Sequence, residues 1–136
     1  MKKTLVLVIS ILICSILNAQ KITFKQLPDS VRKEYKKTYR KWKRVTHFRK
    51  EQKEIAHELL TTRYLQIKEI EQKFTTDKKM IYKEARSVNN KFFDNLKDMM
   101  SAYQWAMFEK YLTKYQAKRK QKLKVESLSY FDFWRY

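Results

Sequence analysis

Not one glycine occurs among the 136 residues of this chain, and Pro28 is its only proline. Tight primed hairpin turns, dinucleotide- and phosphate-binding loops and nucleophile elbows need glycine wherever the backbone takes positive φ or approaches a ligand closely. Those architectures are excluded. What remains is a chain of good helix formers joined by short polar breaks, so an all-α fold without strands is expected.

Lys2 and Lys3 precede an uncharged, largely apolar run from Leu5 to Leu17, and Leu17-Asn18-Ala19 places small or neutral residues before Gln20. This is the pattern of a cleaved export leader spanning residues 1–19. The run is shorter than the roughly 20 apolar residues that span a bilayer, and no second candidate follows. The expected product is periplasmic or secreted, with no transmembrane segment after leader removal. The single cysteine, Cys14, lies inside the leader, and Ile13 stands where a lipoprotein signal needs a small residue. Disulfides, thiolate metal sites and cysteine nucleophiles leave with it.

Loss of Lys2 and Lys3 lowers the formal charge from +18 to +16. Self-repulsion of that size opposes compaction, and an acidic or anionic partner is the natural inference. Nucleic acid, lipopolysaccharide, anionic lipid and acidic unfolded chains all qualify, and charge does not choose among them.

Pro28, Asp29 and Ser30 suit a helix start, after which Val31, Tyr35, Trp42 and Val45 mark an apolar stripe to about residue 45. Phe48, Ile55, Ala56 and Leu59 begin a second segment, continued by Leu60, Ile67, Ile70 and Phe74. Thr61-Thr62 either caps a new helix there or is run through. Thr75, Thr76 and Asp77 form the next joint, and Ile81, Ala85, Val88, Phe92, Leu96 and Met99 make the cleanest amphipathic pattern in the chain. Ser101 caps a last helix with the stripe Trp105, Phe108, Leu112, Tyr115 and Leu123. Residues 20–126 read as one all-helical domain of four or five helices, and 127–136 as a separate aromatic tail. Narrow stripes on long helices favour an elongated hairpin or bundle, or a homodimer sharing its core, over a compact globule.

One pattern occurs twice. Met100-Ser101-Ala102-Tyr103-Gln104 sets an apolar residue, a hydroxyl cap, two residues and a glutamine before Trp105 and Phe108, and Leu60-Thr61-Thr62-Arg63-Tyr64 begins the same way with tyrosine in place of glutamine. Each reads as a bend where a Ser or Thr hydroxyl satisfies an orphan amide of the next helix. This resembles the LTxxQ motifs of the Spy/CpxP family of periplasmic proteins, over roughly residues 46–122. The second motif keeps Gln104 and the first loses it at Tyr64; residues 20–45 and the tail are not covered. The resemblance implies a thin cradle-shaped dimer of long helices, acting as an ATP-independent chaperone or envelope-stress protein through a basic concave surface.

The candidate binding surface is Lys36, Lys37, Tyr39, Arg40, Lys41, Lys43 and Arg44, where lysines and arginines interleave with aromatics. The ordinary alternative, a core stripe with a solvated basic back, is favoured for Tyr35 and Trp42. His47, Glu51, Glu54 and Glu58 share one helix flank, but His57 points away from them, so intrahelical salt bridges such as Lys50–Glu54 are expected rather than a metal site or a cofactor. Catalysis needs paired acid–base groups in a dry concave site, which narrow helices without glycine loops rarely build, so no enzyme is expected. In the tail, Tyr130, Phe131, Phe133, Trp134 and Tyr136 either fold back over an apolar groove or dock elsewhere, on another envelope protein or at a membrane interface. The functional expectation is an exported binding protein for unfolded or acidic envelope proteins. Its alternatives are a module for an anionic polymer or surface, or a structural partner of one envelope protein.

Overall fold

A computed structural model describes residues 21–120, and among them the chain is entirely helical, without strands. A 3₁₀ turn, Phe24–Gln26, leads into α1 (Asp29–Thr46), α2 (Lys50–Lys73), α3 (Lys78–Asp98) and α4 (Ala102–Lys120). The described residues thus form four α-helices with joints of only a few residues. Leu123, the leader expected at residues 1–19 and the stretch 127–136 read as an aromatic tail lie outside the described residues.

Each joint uses the chemistry its residues permit. Pro28 sits just before α1 and its carbonyl accepts from the Arg32 amide at 2.9 Å, so the proline starts the helix without costing a hydrogen bond. Between α1 and α2, His47 takes the left-handed conformation at φ 55°, a role usually given to glycine, and the chain reverses within three residues. Asp77 caps α3, its Oδ1 accepting from the Met80 amide at 3.1 Å.

Helix α2 runs unbroken through Thr61 and Thr62. Thr61 turns its hydroxyl back to the His57 carbonyl at 2.8 Å, which satisfies it inside the helix instead of opening a new one. The expected cap at Thr61 is thus corrected: Leu60 is fully buried, and the segment is helix interior. Ile55, read as part of the inward stripe, is 43% exposed, because the face of α2 that packs inward runs through Ala56, Leu60, Tyr64 and Ile67.

The helices pack chiefly as two pairs, α1 with α4 and α2 with α3, and the 3₁₀ turn lies on α2. The pairs share an aromatic core. Trp42 of α1 meets Phe108 of α4 edge-on at 5.4 Å and Phe92 of α3 at 6.1 Å, and Phe93 lies 6.2 Å from Phe108. Ring pairs at these separations add to the burial of their area. Tyr35 and Trp42 take core positions, at 0% and 1% exposed.

Three polar side chains stitch this core. Arg63 of α2 is 1% exposed, donates through Nε to Asn89 Oδ1 of α3 at 2.7 Å and through Nη1 to the Tyr35 hydroxyl of α1 at 3.2 Å, and lies over the Phe92 ring. Burial raises the Tyr35 pKa above the usual tyrosine value, against the pull of the Arg63 charge. Neither Arg63 nor Asn89 carried a sequence signal, since each interrupts an otherwise apolar stripe.

Candidate functional site

The α1–α2 joint and the α3–α4 joint meet at one end of the molecule. There Gln52 and Gln104, each the third residue of its helix, exchange two hydrogen bonds: Gln52 Nε2 donates to Gln104 Oε1 at 2.8 Å, and Gln104 Nε2 to Gln52 Oε1 at 3.0 Å. Each Oε1 also accepts the amide that opens its own helix, from Arg49 at 2.9 Å and from Ser101 at 3.0 Å. Gln52 Nε2 reaches the Met99 carbonyl at 2.7 Å, and Ser101 Oγ accepts from the Gln104 amide at 3.2 Å. Two orphan helix ends are closed and the two joints are tied together by one pair of amides.

This pairing reassigns the repeated pattern. The partner of Met100-Ser101-x-x-Gln104 is Phe48-Arg49-x-x-Gln52, whose apolar residue is 4% exposed and whose glutamine is 3% exposed. Leu60-Thr61 is not that partner. Arginine has no acceptor, so the Arg49 segment lacks the hydroxyl half of a capping box and holds only the glutamine half. A search anchored on Ser or Thr passes over it; a search for glutamine three residues past a break finds it, and also finds Gln26, whose Oε1 accepts from the Thr23 amide at 2.8 Å.

The basic candidates separate cleanly from their aromatic companion. Lys36, Lys37, Arg40, Lys41, Lys43 and Arg44 are all exposed on α1. At about 100° per residue, Lys37, Arg40 and Arg44 lie opposite the buried row of Val31, Tyr35, Trp42 and Thr46. Tyr39, expected among them at the surface, is corrected to the interior: it is 6% exposed and packs on Phe48 at 5.9 Å and His57 at 5.2 Å. Burial, with a further push from Glu54, raises its pKa. The surface is therefore a stripe of cations, with Glu34 4.0 Å from Lys37 as a nearby acid. Such a stripe attracts anionic partners from a distance and weakens with salt.

On the neighbouring flank of α2, the segment preceding α1 is pinned down. Phe24 stacks on His57 with centroids 4.0 Å apart and planes 10° from parallel, Leu27 is buried, and Lys21 pairs with Glu58. Glu58 thus pairs across elements rather than along its helix. Burial lowers the His57 pKa below its usual value, aided by Lys53 and Lys36 and opposed by Glu54, and its Nε2 is buried without a hydrogen-bond partner.

Among the described residues no set of three or more His, Cys, Asp or Glu side chains gathers into a metal-ligand cluster, and no helix is long and apolar enough to cross a membrane. A cleft of about 100 Å³ opens between Leu59, Arg63 and Gln66 of α2 and Lys91, Phe92 and Asn95 of α3. The chemistry on display is cationic and hydrogen-bonding. No family model matches the chain, and neither does any curated protein or solved structure.

Proposed function

We propose that this chain is an exported helical binding protein of the Spy/CpxP type, released by removal of residues 1–19, which holds unfolded or acidic envelope proteins without ATP. The observation that carries the reading is the Gln52–Gln104 pair. A family defined by two copies of an apolar–cap–x–x–Gln segment implies two matching helix starts, and the pairing here of Phe48–Gln52 with Met100–Gln104 supports that kinship better than Leu60–Tyr64 did. The α1 cations would draw in acidic clients, and partly exposed apolar side chains would hold them. A homodimer would enlarge that surface, and sedimentation of the processed chain reads its mass and shape directly. The decisive experiment is light scattering from several unrelated, chemically unfolded proteins diluted into buffer. Delayed aggregation of most of them at equimolar chain and without ATP is expected; no delay for any of them removes the reading.

A second reading rests on the α1 stripe alone: a module for an anionic polymer or surface such as lipopolysaccharide or nucleic acid. It requires affinity that falls steeply from low to physiological salt and weakens when Lys37, Arg40 and Arg44 are neutralised together. Salt-independent binding eliminates it.

A further inference from the structure

The tip half of the α2–α3 hairpin carries an apolar flank that the other helices leave uncovered. The shared core takes Ala56, Leu60 and Tyr64 from α2 and Phe92, Phe93 and Leu96 from α3, and nothing from residues 67 to 88. Within that stretch Ile67 and Ala85 are buried, while Ile70, Phe74, Met80, Ile81 and Val88 stay partly exposed. Ile81, Ala85 and Val88 continue, at spacings of four and three, the row that becomes core at Phe92. The stripe thus runs on past the end of its cover, and two helices alone can bury only the seam between them.

The position at which the described chain ends indicates what covers it. Helix α4 starts at the joint end, and its 19 residues carry the chain about 28 Å toward the tip. The 24 residues of α2 rise about 36 Å from the same end, so by length alone α4 ends about three-quarters of the way along α2. Residues 121–136 follow, and 16 residues can reach at most roughly 50 Å. Charge narrows the choice of occupant. Lys73, Lys78, Lys79 and Lys83 stand exposed around the tip among the acids Glu69, Glu71, Asp77 and Glu84, and a second copy would bring the net positive charge of the whole chain against it. The segment 127–136 carries only Asp132 and Arg135 and is neutral, and it is the aromatic-rich stretch of the chain. Its rings also suit lysines, as Lys73 over the Phe74 ring at 5.3 Å already illustrates.

We propose that residues 127–136 dock in cis on the tip flank of the hairpin, with Tyr130, Phe131, Phe133, Trp134 and Tyr136 set against Ile70, Phe74, Ile81 and Val88. This does not depend on the chaperone reading. The processed chain from Gln20 has no thiol, so Ser129→Cys gives a single nitroxide site beside the rings. With the label oxidised, the amide signals of residues 70–88 lose most of their intensity while those of Lys37 and Arg44 keep theirs. A second variant adding Ile81→Asp and Val88→Asp abolishes that loss, with the helical circular dichroism unchanged. Broadening centred on α1 or α4, or none at all, overturns the proposal. So does broadening that appears only when a spin-labelled copy is mixed with a separate isotope-labelled one, which would assign the flank to another molecule's tail.

Discussion

The two ends of this molecule are built on different principles. At the joint end, four helix termini converge on Trp42, Phe93 and Phe108, and polar groups left by two helix starts satisfy one another through Gln52 and Gln104. At the tip, two helices and a turn capped by Asp77 stand without that aromatic core. Helices gain most of their stability from packing, so rigidity should concentrate at the joint end and the tip should open first.

Removing the centre of the joint end should have the largest effect. Trp42→Ala leaves a cavity among α1, α3 and α4 and is expected to cost about 3–5 kcal/mol, whereas Phe74→Ala at the tip, where the side chain is already partly exposed, should cost well under half of that. Urea unfolding of both variants measures the contrast. Equal losses would mean that the tip is as tightly packed as the core.

The glutamine pair comes next. Gln104→Ala orphans the Ser101 amide and half of the Gln52 amide, at an expected cost of about 1–3 kcal/mol, and a Gln52→Ala/Gln104→Ala double-mutant cycle should show coupling between the two. Thr61→Ala is the control, because its hydroxyl only back-bonds within α2 and its loss should cost about 1 kcal/mol or less. A Thr61 effect larger than the Gln104 effect would restore Leu60–Tyr64 as the working motif.

At the tip, Asp77→Ala removes the α3 cap, for which about 1 kcal/mol is expected, read as faster amide exchange confined to the first turns of α3. Exchange accelerating equally at the joint end would show that the two ends unfold as one unit.

The smallest effect is pH-dependent. Burial lowers the His57 pKa below 6.5, so the unfolded chain binds the proton more readily than the folded one. Stability from this group is complete above pH 6.5, falls as pH drops through that value, and levels off below the lowered pKa. Melting temperatures measured down this range should decline, and His57→Gln should remove its share of the decline. An unchanged slope in that variant would place the titration elsewhere.

Much of the frame was legible in the residues. The absence of glycine excluded sheets with tight turns, and the spacing of Ala85, Phe92 and Leu96 marked α3, because both signals are local. Asp77 and Ser101 were readable as caps for the same reason: a short acceptor serves amides within its own turn. Tyr39 was not legible as interior, since its period fits both the buried row and the flank of the cationic stripe, and only the docking of Phe48 and His57 against it separates the two. Gln52 escaped notice because its motif kept half its chemistry, and the other half of its bonding comes from a helix 52 residues away.

Sequence by itself determined that the chain is helical, strongly basic and punctuated near residues 28, 76 and 101, and left open whether it also breaks at Thr61. Composition and local hydrogen bonding act within a few residues, and those properties need nothing more. Only the tertiary structure decided which glutamines pair, that Arg63 joins three helices from inside the core, and that the apolar row on the α2–α3 hairpin outruns its cover. Each depends on which helices lie side by side and how far each one extends, and that is set by packing between segments distant in the chain.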